Sequence, residues 1–317
     1  MNVIHSTAGF SERQLGCVAT IGKFDGVHLG HQQIIRQLLA KAADLKVPSV
    51  VVVIEPHPEE FFASHPQDCP PRLSEAEEKI QLLSQLGVHT VFLLTFNEQL
   101  CRLSPQSYIE DILVKGLNVR SLIIGNDFRF GYQRAGDYRL LQEYGVRAGF
   151  DVIETESCIC QGVRVSSTYI RECLAVADFD RVTAALGREY AIAGTVKKGR
   201  QLGRSLGFPT CNLALNRRNI PLHGVYACES RIVTTDGETI RAFGAANIGY
   251  RPTVDDNREA VLEVHLIDFD RDVYGAWMSV TFKSRVRAEQ KFESLEALKS
   301  QIDIDIEQVR QFFNLNT

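Results

Sequence analysis

The sequence predicts an α/β, doubly wound domain over residues 1–186, followed by an antiparallel β-barrel with one closing helix over 187–317. Three observations carry this prediction. Short aliphatic runs alternate with helix-length segments through the first half, which implies parallel strands joined by crossover helices. After Tyr190 glycine and proline become frequent, and the apolar runs turn short, β-branched or alternating. No helical pattern then intervenes until 294–313, the texture of a small barrel closed by a terminal helix.

The elements follow in order. Strands are expected at 16–21, 49–55, 90–96 and 121–125, with helices at 31–45, 74–86 and 104–117 between them. Ser74 and Glu77 have capping-box spacing, and Ser104-Pro105 sets a cap residue before a proline at the first helical position. Parallel strands of this kind hold ligands outside their carboxyl ends, where the stretches GKFDGVHLGH (22–31) and GNDFRFG (125–131) fall. A short helix at 178–186 precedes the boundary. The barrel strands are expected at 224–233, 239–247, 261–269 and 278–286, with Trp277 in the core.

Composition narrows the function classes. A chain of 317 residues accommodates two cores, and 44% hydrophobic with 23% charged residues is ordinary globular usage. A net charge of -4 argues against broad nucleic-acid binding, although Lys197, Lys198, Arg200 and Arg204 form a local basic cluster. The longest aliphatic run, 50–54, is far short of a membrane span, and residues 1–16 lack a secretory pattern. Eight scattered cysteines without C-x-x-C are expected to be free thiols, which points to a cytoplasmic protein.

The first chemistry-bearing stretch leaves a strand through Gly22, Gly26 and Gly30 and sets His28 and His31 at the start of a helix. Unpaired N–H groups and the positive dipole end favour a phosphate there, and glycines let backbone approach it. Imidazoles three apart share a helix face and can reach the same triphosphate. As zinc ligands they lack a third partner at metal spacing nearby. Ser166, Ser167 and Thr168 are N-cap types, and Arg164 and Arg171 bring fixed positive charge suited to phosphates.

His28-Leu29-Gly30-His31 resembles the H-x-G-H signature of nucleotidyltransferases, and residues 22–31 are similar to the first motif of the bacterial bifunctional riboflavin kinase/FAD synthetase family. EPHP (55–58), GNDFRFG (125–131) and RVSSTYIR (164–171) follow in that family's order, with Val165 where the family has isoleucine. The resemblance implies a nucleotidyltransferase fold and adenylyl transfer from ATP to FMN, with release of pyrophosphate and no covalent enzyme intermediate. His28 and His31 are then catalytic. Gly22, Phe24, Gly26, Gly30, Asp127, Arg164, Ser167, Thr168 and Arg171 are expected at ATP and its phosphates, and Phe128 and Phe130 against the isoalloxazine.

The second stretch, GTVKKGRQLGRSLGFPTCN (194–212), is glycine-rich and basic but lacks a Walker A ending. With NIGYRPT (247–253), LEVHLIDFD (262–270) and VYG (273–275), it resembles the riboflavin kinase module of the same family. Pro209-Thr210-Cys211-Asn212 stands where the family has P-T-A-N, which implies Mg²⁺ and phosphate contacts for Thr210 and Asn212. Cys211, replacing alanine, is expected to point away from the metal. The resemblance implies nucleotide or flavin contacts for Gly194, Lys198, Gly199, Arg204, Gly207, Pro209 and Arg287. It makes Glu263 the base toward the ribityl hydroxyl, and alternation sets Glu263 and His265 on one face and Leu262, Val264 and Leu266 on the other. Riboflavin, FMN, FAD and ATP are the expected partners, with no nucleic acid and no membrane. Competing readings are another H-x-G-H adenylyltransferase, a class I tRNA synthetase (for which no K-M-S-K-S loop is present) and a flavin- or nucleotide-binding regulator without turnover.

Overall fold

The computed structural model describes the chain apart from residues 13, 126, 200–202, 204, 205, 216, 218, 253–257, 316 and 317, so the calls on Arg200 and Arg204 lie outside the described residues. The chain forms two compact units, Met1–Pro70 with Ser74–Ser167, and Pro71–Leu73 with Thr168–Thr317.

In the first unit, β1 (Asn2–Ile4), β2 (Cys17–Gly22), β3 (Ser49–Glu55), β4 (Thr90–Thr95), β5 (Val119–Gly125) and β6 (Asp151–Thr155) form one sheet in the order β1-β4-β3-β2-β5-β6. Every pairing in it is parallel. Alternation along the strands produces two cores. Val18, Val51, Val53, Val91 and Ile123 pack with Ile35, Leu38 and Ala42 of the Leu29–Leu45 helix and Leu83 of the Ala76–Gln85 helix. Ala19, Ile21, Val50, Val52, Leu122 and Ile124 pack with Tyr108, Ile109, Leu113 and Leu141. The expected doubly wound arrangement is therefore present. The chain moves from β2 to β3 to β4 on one side, then returns to set β5 on the other side of β2. That reversal is a switch point, and it opens a crevice beyond Gly22 and Gly125.

Three local readings are corrected. β1 and β6 were not expected; they are short edge strands, and Asp151 and Glu154 leave β6 without a continuous apolar run. The helix after Ser74 is capped by Glu75 and Glu78 instead of Ser74 and Glu77. Ser74 is drawn away because its hydroxyl accepts from the Gly26 N–H at 2.7 Å, while its own N–H donates to Asp25 at 3.1 Å. The 104–117 helix is not continuous: Ser104 caps Pro105–Tyr108 as expected, and the turn then widens to a π-helix over Ile109–Val114. A small hairpin of β7 (Ile159–Cys160) and β8 (Val163–Arg164) precedes the Ser167–Ala175 helix.

In the second unit, β9 (Ala191–Lys197), β10 (Cys211–Leu213), β11 (Gly224–Val233), β12 (Thr239–Pro252), β13 (Arg258–Leu266) and β14 (Trp277–Arg287) close into an antiparallel barrel in the order β10-β13-β12-β11-β14-β9. Ile192, Val196, Leu213, Ile248, Leu262, Val264, Met278, Val280 and Phe282 are buried. Trp277 is only half-buried, because the inward positions of its strand fall on Met278 and Val280. The terminal helix Leu295–Phe313 is capped by Ser294, as expected, and packs Val309 against Ala227 and Ile267. The Phe179–Leu186 helix lies with this unit too, its Phe179 ring meeting Tyr226 edge-on at 5.9 Å between centroids.

Candidate active sites

The crevice of the first unit is built from the loop between β2 and the Leu29–Leu45 helix. Phe24, Gly26 and Val27 all take positive φ, so the backbone turns sharply over four residues. At Gly26 a side chain would be strained by its φ of 80°, and its N–H is already held by Ser74. The turn delivers His28 in extended conformation as the helix N-cap, its Nδ1 accepting the His31 backbone N–H at 3.3 Å. A neutral His28 therefore carries its proton on Nε2.

The rings of His28 and His31 stack 3.6 Å apart at 18°. Gly30 suits that stack: a Cβ there would press to 3.1 Å on the His28 ring. Phe24 is buried and its ring lies 5.0 Å from His31, so its side chain supports the imidazole instead of facing a ligand. His31 Nδ1 is buried and has no hydrogen-bond partner among the described residues. Burial, then the neighbouring His28 and the positive charges of Lys79 and Lys23, pushes His31 well below the ordinary imidazole value of 6.5.

Other expected residues distribute around this turn. Gly22 leaves room for Phe24, whose ring would stand 3.3 Å from a Cβ at that position. Ser167 donates to the Asp25 carbonyl at 2.9 Å, tying the RVSST segment to the glycine loop. Arg164 and Asp127 pair with each other at 2.9 Å on the surface. Phe130, expected against the isoalloxazine, is instead buried in the core, its ring centroid 5.3 Å from that of Tyr108. Phe128 is partly buried and stacks on Phe130. Thr168 and Arg171 belong to the second compact unit, where Arg171 Nε donates to the Pro71 carbonyl at 2.6 Å.

Two features escaped the sequence reading. Lys79 is fully buried, with its Nζ 2.5 Å from Glu55 Oε1 and 2.8 Å from His57 Nε2. Phe61, Phe62 and Phe96 form an aromatic cluster of edge-on rings, 5.2 to 5.8 Å between centroids. Phe61 and Phe62 are exposed, beyond the carboxyl ends of β3 and β4. Two adjacent phenylalanines after EPHP were the available signal.

In the barrel, Asn212 of β10, Glu263 of β13 and Asn247 of β12 stand in one register row. Side chains directly opposite share a face, so two amides flank one carboxylate. Leu262, Val264 and Leu266 are buried while Glu263 and His265 are half-exposed, the alternation expected from the sequence. Cys211 pairs with Val264 and so projects opposite to Asn212; burial pushes its thiol up to about 11.

Thr210 and Asn212 line a cleft with Gly199, Pro209, Asp272 and Tyr274. Gly199 crosses Asn212 so closely that a Cβ would lie 2.5 Å from its amide. Gly203 likewise meets the Phe208 carbonyl, and Gly194 the Ala214 carbonyl, at 2.3 and 2.7 Å from a built Cβ. Gly207 has φ 95° with open space around it. Lys198 Nζ lies 5.5 Å over the Tyr274 ring, and His265 Nδ1 donates to the Pro209 carbonyl at 2.9 Å. The hydroxyl and amide oxygens of Thr210 and Asn212, in a cradle that a Cβ on Gly199 would fill, fit a hard divalent cation shared with phosphates. Arg287 is already engaged: Asp305 of the terminal helix takes its guanidinium at 2.9 Å, so it fastens that helix to the barrel.

Two family models match the chain. The family model described as FAD synthetase matches residues 10–169, and that described as riboflavin kinase matches 186–313. A bifunctional riboflavin kinase/FMN adenylyltransferase from Pseudomonas fluorescens is 45% identical over 310 residues, 98% of this chain and 97% of its own. One from Escherichia coli K12 is 43% identical over 302 residues, 95% and 94% of the two chains. A solved structure described as a macrolide-efflux protein from Streptococcus pneumoniae superposes with a TM-score of 0.79 at 28% identity, covering 97% of this chain and 98% of that one. Among the described residues no helix is long and apolar enough to cross a membrane.

Proposed function

Because the chain belongs to the bifunctional riboflavin kinase/FMN adenylyltransferase family, and so converts riboflavin to FMN and FMN to FAD with ATP as co-substrate, we propose how its own residues divide the two reactions. We keep the functional boundary at 186/187, a reading supported by the riboflavin kinase family match over residues 186–313.

In the first reaction site, the stacked His28 and His31 are the catalytic pair for adenylyl transfer, and their stacking at the switch point is the observation that carries this reading. ATP phosphates meet the start of the Leu29–Leu45 helix, where backbone N–H groups and the helix dipole favour them. His28 Nε2–H and a neutral His31 donate to non-bridging oxygens as charge builds on the departing pyrophosphate. The FMN phosphate attacks the α-phosphorus directly, so positioning and charge stabilisation supply the catalysis. Gly22, Gly26 and Gly30 keep the backbone close to the nucleotide, and Ser167, tied to the Asp25 carbonyl, keeps the phosphate role its motif implies. Arg164 and Asp127 act as one ion pair at the rim of the crevice. The exposed Phe61–Phe62 pair offers an aromatic surface for the isoalloxazine, in addition to Phe128, which the sequence-based expectation set against the same ring.

In the barrel, Glu263 accepts the proton of the ribityl 5′-hydroxyl as that oxygen attacks the γ-phosphorus of ATP and ADP departs. The register row Asn212–Glu263 carries this reading, because it aligns the base with the phosphate-side residue. Thr210 and Asn212 would hold Mg²⁺, which when bound neutralises phosphate charge. Gly199, Gly207 and Pro209 shape the nucleotide cleft, and Lys198 adds positive charge at its mouth. Both activities are placed in the cytoplasm, a compartment that suits eight free thiols. The test is an incubation of pure protein with riboflavin, ATP and Mg²⁺, resolving FMN from FAD. Wild type should yield both; His28→Ala should stop at FMN, and Glu263→Ala should make neither from riboflavin yet convert added FMN.

A further inference from the structure

The chain buries a lysine completely at Lys79, although a buried ammonium is costly unless it is well paired. Glu55 and His57, which meet its ammonium, belong to the EPHP segment that leaves the carboxyl end of β3. The Lys79 charge also acts on His31, so the lysine lies within electrostatic reach of the stacked pair. We propose that the fully buried Lys79 is a positioning residue for adenylyl transfer: it clamps the Glu55–Pro58 segment at the crevice and sets the local field beside His28 and His31. This rests on the reading of the first unit as the adenylyl-transfer site.

The geometry explains why a lysine stands there. Its Nζ stands 2.8 Å from His57 Nε2 and forms an ion pair with Glu55 at 2.5 Å. His57 is itself the start of the Pro58–Phe62 helix, which carries the exposed Phe61–Phe62 pair. One buried cation thus links the imidazole side of the crevice to its aromatic side. Among the described residues, the groups that lower His31 are His28, which caps its helix, Lys23 after β2 and Lys79 on Ala76–Gln85. Lys23 is balanced by Glu59 at 2.5 Å, and Lys79 by Glu55. Both lysines act to keep His31 uncharged, and of the two Lys79 is the fully buried one.

The experiment uses the full-length enzyme and follows FMN-to-FAD conversion against pH, with riboflavin-to-FMN turnover of the same preparation as internal control. Lys79→Met should lower FMN-to-FAD kcat about tenfold or more, leave the kinase step unchanged, and move the acid limb of the FAD profile up by about half a unit. Glu55→Gln removes a negative charge 2.5 Å from Lys79 and should move that limb down. Opposite displacements are the signature of a field set by this pair, which a purely structural role would not produce. Should Lys79→Met lose amide-exchange protection in the first unit, the Glu55→Gln profile decides alone. Unchanged FAD kinetics in Lys79→Met, or a limb that shifts the same way or not at all in Glu55→Gln, would overturn the proposal. His31→Ala tests the underlying site assignment separately, since it should abolish FAD formation whatever Lys79 does.

Discussion

His28 accepts the backbone N–H of His31 through Nδ1 while their rings stack, so one residue is at once a helix cap and half of an imidazole pair. Replacing it has two separable consequences. His28→Ala should reduce FMN-to-FAD turnover at least about a hundredfold, the range expected for loss of a transition-state donor. It should also cost the first unit about 1 kcal/mol through loss of the cap, read by urea unfolding. The kinase step should be untouched.

His31 supplies a pH dependence with a definite sign. Its folded-state value lies well below 6.5, so below that pH the unfolded chain binds a proton that the folded one does not. The contribution to stability is intact above 6.5 and is lost progressively as pH falls toward the depressed folded value. Chemical unfolding of the first unit at about pH 7.5 and about pH 5 should show this loss, and His31→Gln should flatten it.

Glu263→Gln keeps shape and removes the base. Riboflavin phosphorylation should fall by about a hundredfold or more, with FMN-to-FAD conversion near wild type. Steady-state assays of each half-reaction check both halves of that statement, and full kinase turnover would remove Glu263 from the role.

Gly199→Ala places a methyl group 2.5 Å from the Asn212 amide, which must then move. The kinase KM for ATP should rise by about tenfold while adenylyl transfer is unaffected. Gly207→Ala is a useful contrast: its cost comes from a φ of 95° and not from a clash.

Fragments report on the helices before the barrel. Ile170, Leu174, Val182 and Leu186 are buried, and Phe179 meets Tyr226. A kinase fragment 168–317 should therefore melt several degrees above a fragment 187–317, measured by differential scanning calorimetry.

Much of this molecule was legible in the chain because its signals are local. Val50–Ile54 reads as a buried parallel strand, and Leu262 to Leu266 alternates as a barrel strand must. The imidazole pair was legible because strand, glycine turn and helix start coincide at residues 17–31. Lys79 was not, since its partners are 24 and 22 residues distant and nothing in an amphipathic helix marks which lysine turns inward. Ser74 was misread for a related reason: a tertiary bond to Gly26 outcompeted its local capping pattern. Phe130 shows the converse, an aromatic in a motif whose place is decided by Tyr108 in the core.

Closure of the barrel, finally, leaves the two halves with unequal exposure to misassembly. A strand ring with every neighbour satisfied offers no free rim onto which another chain could add. The six-stranded parallel sheet ends instead on three-residue β1 and acidic β6, so faulty self-pairing of newly made chains would begin at those margins.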